Sequence, residues 1–130
     1  MKPLPKGTTD VGLLAIVDQW AGLLEAEDYA AAFAFTSHDS AMGWTPQLMR
    51  AVIKGYGDAL ESQRVTVEGK PTDVHQRKAV TRWESSRRAG IGEIWYDLNI
   101  DGLASDLTAT FWILEKSDGL YLELNDIHVM

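Results

Sequence analysis

The chain predicts an α+β fold: two to three N-terminal helices packed on a curved antiparallel sheet of four to five strands. Two observations carry this. Apolar residues recur at spacings of three and four up to Gly57, and after it the period becomes two. A third is the order itself, since helices followed by adjacent strands with short links leave an antiparallel sheet as the natural partner of the helices.

The first helix is expected over Thr9 to Ala26, where Leu13, Leu14, Ile16, Val17, Trp20, Leu23 and Leu24 make one apolar face. Thr8, Thr9 or Asp10 can cap its first turn. A bend at Glu27-Asp28 leads into a second helix ending near Phe35, whose alanines favour little else. "SHDSAMGW" reads as a loop. Thr45-Pro46 then restarts a helix, a capping hydroxyl followed by proline at the first helical position, with Leu48, Met49, Val52, Ile53 and Tyr56 facing inward. Gly55 and Gly57 weaken its end.

The strands follow from alternation. "RVTVEG" puts Val65 and Val67 on one side before Gly69-Lys70-Pro71 interrupts it. "KAVTRWESS" sets Val80, Arg82 and Glu84 against Ala79, Thr81 and Trp83, while "GEIWYDLNIDG" sets Ile94, Tyr96, Leu98 and Ile100 against Trp95, Asp97 and Asn99. The last two strands meet at Lys116-Ser117-Asp118-Gly119, an Asp-Gly hairpin signal.

At 130 residues the chain makes one domain, 1–130, with an ordinary apolar fraction and five Trp, four Tyr and three Phe as core material. It has no cysteine, which excludes disulfides, thiolate metal sites and a Cys nucleophile, and points to the cytoplasm. Pro3, Pro5 and Gly7 interrupt the N-terminus before any run of signal-peptide type, and no apolar stretch approaches a membrane span, so neither secretion nor membrane insertion is expected. A net charge of −7 disfavours nucleic acid. Against that acidity, Arg77, Lys78, Arg82, Arg87 and Arg88 concentrate positive charge, which can steer an anionic partner or merely solvate a strand face and hairpin tip.

With this order of elements in place, "VDQWAGLLEAEDYAAAFAFT", "WYDLNIDG" and "LTATFWILEKSDGLYLELNDIHVM" resemble the nuclear transport factor 2-like superfamily, with its cystatin-like α+β roll, and more narrowly a bacterial domain of unknown function. The resemblance implies a cone whose interior is the binding site. It does not imply one activity, because the superfamily includes isomerases, dehydratases, polyketide cyclases and non-catalytic adaptors. The expected pocket is lined by Trp20, Tyr29, Phe33, Tyr96, Leu122 and Leu124.

Strict alternation carries Leu120, Leu122 and Leu124 on to Asp126 and His128, making an acid and an imidazole at the rim of that pocket. A carboxylate that orients an imidazole is a common proton-transfer arrangement, and these two are the candidate catalytic residues. The competing reading is a strand end in solvent. Asp97 is a second candidate base, but it and Tyr96 face opposite ways and cannot both point inward. An Asp-Arg-Asp set from Arg82, Asp97 and Asp126 is a third arrangement, of the kind epoxide-hydrolysing members use. His38, His75 and His128 do not form a metal set, and no phosphate loop or nucleophile elbow is present.

The functional expectation is a non-catalytic module that binds a small molecule or a protein, with a small cofactor-independent isomerase, dehydratase or cyclase as the alternative. No cofactor or metal is expected. A homodimer through the sheet is expected, because Trp95 and Trp112 on an outer face would expose an apolar patch that a second copy could cover.

Overall fold

The computed structural model describes residues 1–57 and 60–129. Helices α1 (Asp10–Glu25), α2 (Tyr29–Phe35) and α3 (Pro46–Lys54) precede strands β1 (Val65–Thr66), β2 (Lys78–Arg87), β3 (Gly90–Ile100), β4 (Leu103–Lys116) and β5 (Gly119–Val129), with a short 3-10 turn at Ser40–Met42. All strand pairs are antiparallel. β1 and β2 lie end to end along one edge of β3, and β4 and β5 follow on its other side; the sheet does not close.

Each helix starts where its capping side chain dictates. Thr9, Asp28 and Thr45 accept from the backbone N–H groups of Gly12, Ala31 and Leu48. Leu13, Val17, Trp20, Ala21 and Leu24 turn one stripe of α1 onto the inner face of the sheet. There they meet Ile94, Tyr96, Leu98, Ala109, Phe111, Ile113, Leu122 and Leu124 in one cluster. Trp20 crosses Phe111 edge to face, ring centres 4.9 Å apart. Burying each of these large side chains contributes about 1.5–3 kcal/mol relative to leaving it in water.

Two differences from the expected pattern are local. Leu48 is exposed, because the inner face of α3 is made by Met49 and Ile53. The expected strand around Val65–Val67 shortens to Val65–Thr66, opposite Ile100 and Asn99. The outer edge of β5 is not bare: Leu4 bridges Leu120, and Ser37 bridges Glu123. Such cover removes a ready template for unwanted strand pairing.

Candidate functional site: the outer face of the sheet

The inner face is packed, and the expected pocket residues take part in that packing. Trp20, Tyr96, Leu122 and Leu124 are fully buried or nearly so, Tyr29 is buried at the start of α2, and Phe33 is half-buried against His38. Two cavities among the described residues are lined by other side chains. Tyr96 does face inward, and its hydroxyl donates to Asp18 of α1. Burial, aided by that carboxylate, pushes its phenol well above the ordinary range, so it stays protonated. The Trp20 Nε1 and Tyr29 hydroxyl groups have no hydrogen-bond partner among the described residues.

Asp126 and His128 lie on the other face. The reason is a β-bulge: Phe111 pairs with Leu124, but Thr110 pairs with Asp126, so Asn125 is an extra residue in β5. One inserted residue reverses every later side chain. Ile127, not Asp126, therefore continues the buried row begun by Leu120, Leu122 and Leu124. The bulge is fastened from both sides, since Asn125 Nδ2 donates to Thr110 Oγ1 at 3.1 Å and Trp44 Nε1 donates to the Asn125 carbonyl at 3.1 Å. The inward placement expected from alternation is corrected accordingly. The pair itself is real: His128 Nδ1 lies 2.5 Å from Asp126 Oδ2, with both side chains nearly half exposed.

Cross-strand pairing extends this pair into a polar ladder. Trp95, Thr110 and Asp126 form one rung, and Asp97, Thr108 and His128 the next. Asp97 is buried, and its oxygens accept from Trp95 Nε1 at 2.9 Å, Thr108 Oγ1 at 2.5 Å and the Arg77 backbone N–H at 2.6 Å. A carboxylate held by three donors clamps the start of β2 to β3; it is a poor candidate for a base. The Asp-Arg-Asp set is not assembled either. Arg82 is on the inner side, where it pairs with Asp10 at the start of α1 at 2.9 Å.

Above the ladder the outer face is aromatic and cationic. The guanidinium of Arg77 lies 4.2 Å from the centre of Trp95, Arg87 5.5 Å from Trp83, and Arg88 5.1 Å from Trp112, while the Lys116 amine lies 4.8 Å from Tyr121. Trp83 and Trp112 meet edge to face at 5.0 Å. Gly90 permits that meeting, because a Cβ there would lie 2.9 Å from the Trp83 ring and 3.0 Å from Trp112. Glu93 and Glu123 flank Trp112 on the neighbouring strands. Burial, reinforced by Asp39, pushes the Glu123 carboxyl up, although Arg88, Lys116 and His38 oppose it.

This surface gathers three members of the basic cluster, Arg77, Arg87 and Arg88; the other two, Lys78 and Arg82, turn to the helix side, where the Lys78 amine covers the Tyr96 ring at 4.5 Å. His38 Nε2 donates to the Phe33 carbonyl of α2 at 2.6 Å, and His75 is exposed between β1 and β2. The described residues contain no group of three His, Asp or Glu side chains placed to hold a metal ion. None of their helices is long and apolar enough to cross a membrane.

No curated protein and no solved structure matches the chain. Residues 22–130 match a family described as a domain of unknown function (DUF7668). That span is most of the chain, which therefore belongs to this family.

Proposed function

We propose that this member of the DUF7668 family is a non-catalytic binding module whose working surface is the outer face of the sheet, and that its partner is an acidic segment of a protein. The observation that carries the reading is the set of four aromatic rings on that face, each covered by a cation. Half-buried Trp and Tyr beside Arg are the residue types that supply most of the energy at protein interfaces. A carboxylate-rich partner finds guanidinium groups already oriented by the rings beneath them, so little side-chain freedom is lost on contact. The described residues of the inner face are instead packed into the core.

The order of elements and the α1-on-sheet packing support placing the fold with the nuclear transport factor 2-like rolls. The resemblance to a bacterial domain supports a bacterial setting, and the absence of cysteine fits a reducing compartment such as the cytoplasm. A second copy of the chain is one partner the face can take, with Glu93 and Glu123 of each copy meeting arginines of the other across a two-fold axis; sedimentation equilibrium at micromolar concentration, giving a single monomeric species, would remove that use of it.

The test uses a glutamate-rich peptide titrated into the protein at low and high salt. Binding is expected to weaken as salt rises and to be lost in Arg88→Glu and in Trp112→Ala. Equal binding by those variants would overturn the reading. A second reading, a small cofactor-independent isomerase, dehydratase or cyclase, rests on the Asp126–His128 contact, which engages Nδ1 and leaves Nε2 as the nitrogen able to exchange a proton. It predicts that His128→Gln abolishes turnover while leaving peptide binding intact.

A further inference from the structure

We propose that a second site, independent of the sheet's outer face, lies beneath the N-terminal segment and binds a small apolar carboxylate. A cavity of about 290 Å³ sits there, with Met1, Lys2 and Leu4 on one side and Ile16, Gln19 and Phe35 among the residues on the other. That volume is at the small end of the range for small-molecule sites, which begins at roughly 300 Å³.

The segment is built into the fold. Leu4 exchanges two backbone hydrogen bonds with Leu120, both 2.8 Å, and the Leu122 N–H donates to Met1 Sδ at 3.2 Å. Gly119 makes the approach possible: its φ is +144°, and a Cβ there would lie 2.3 Å from the Leu4 carbonyl oxygen. Met1, Leu4, Ile16 and Phe35 each pack one side against the core and remain only partly buried. Their other sides supply the apolar wall.

Two of the lining residues are polar, and their chemistry selects the head group. Among the described lining residues Lys2 brings the one formal side-chain charge, and Gln19 brings an amide. A ligand with an apolar body and one carboxylate satisfies both, the body against Ile16 and Phe35 and the head at the Lys2 amine. Five of the seven lining residues precede residue 22, where the family match begins, so the site belongs to this chain's N-terminal part.

Octanoate is the probe, titrated into the full chain while the methyl resonances of Leu4 and Ile16 are followed by NMR. Saturable shifts of both are expected. Lys2→Ala is expected to weaken binding about five- to tenfold, and octanol to bind more weakly than octanoate by a similar factor, as the loss of one solvent-exposed hydrogen bond of about 1 kcal/mol requires. Ala34 and Gln19 both line the cavity and are exposed, so Ala34→Trp and Gln19→Trp are expected to fill it without disturbing the core, and to abolish the shifts. Unsaturable shifts, octanol binding as tightly as octanoate, or full binding by both tryptophan variants would overturn the assignment.

Discussion

The inner face of the sheet buries Tyr96 and Phe111 against Trp20, whereas the outer face of the same strands holds Trp95 and Trp112 half-buried beneath arginines. The strands thus use the same kind of side chain in two ways. Inside, rings fill space and exclude water. Outside, they form a platform for guanidinium groups and leave one side of each cation in reach of solvent. The bulge at Asn125 is where the two roles exchange along β5: Leu120, Leu122 and Leu124 face the core before it, and the even-numbered Asp126 and His128 face the platform after it.

The largest effect that separates the faces is expected from truncating a ring. Trp20→Ala should cost about 3–5 kcal/mol, measured by urea unfolding, because it leaves a cavity under Phe111. Trp83→Ala, which removes one edge-to-face partner of Trp112 on the half-exposed face, should cost only about 1 kcal/mol. Equal costs would mean that the outer rings are core residues and not a platform.

Next comes Asp97, the one carboxylate buried within the platform's ladder. Asp97→Ala leaves Trp95 Nε1, Thr108 Oγ1 and the Arg77 N–H without their acceptor and should cost about 2–3 kcal/mol. Faster amide exchange at the start of β2 is expected with it. If only stability fell and the β2 amides kept their protection, the clamp assigned to Asp97 would be wrong.

A smaller effect concerns pH. Because the Glu123 carboxyl is raised in the folded protein, the folded state holds that proton more tightly than the unfolded chain does. Stability on this account is greatest with Glu123 protonated and is lost as pH rises from the ordinary glutamate value through the folded one. Glu123→Gln should therefore melt higher than the parent at pH 7 and match it in acid. Glu27 has the opposite sign: its hydrogen bond to Lys54 lowers its carboxyl, so the stability it contributes is present above the ordinary glutamate value and lost as pH falls through the folded one. Glu27→Gln should show its deficit at pH 7 and lose it in acid.

The smallest effect lies in the β2–β3 turn that carries Arg88. Arg88 and Ala89 both have positive φ, 47° and 66°, in a two-residue turn that favours Asn-Gly. Ala89→Gly should stabilise by about 1 kcal/mol, the cost of a left-handed residue bearing a Cβ.

Most of the fold was legible because its signals are local. Thr9 and Thr45 cap the helices they were expected to open, and alternation along β3 separated Tyr96 from Asp97 correctly. The candidate site was less legible because it depends on register. Carrying alternation unchanged through β5 put Asp126 and His128 inside, yet the signal for the bulge was present: the apolar row runs 120, 122, 124 and then 127, a step of three with Asn125 within it. Other partners are set by tertiary approach alone. Nothing near Arg82 in sequence marks Asp10, and nothing near Tyr96 marks Asp18.

The most direct test of an outer binding face is to follow the five indole N–H resonances by NMR while a glutamate-rich peptide is added. The peaks of Trp83, Trp95 and Trp112 are predicted to move together and saturate, while that of Trp20, fully buried behind the sheet, stays in place. A moving Trp20 peak with the other three fixed would put the ligand inside the fold and contradict the account.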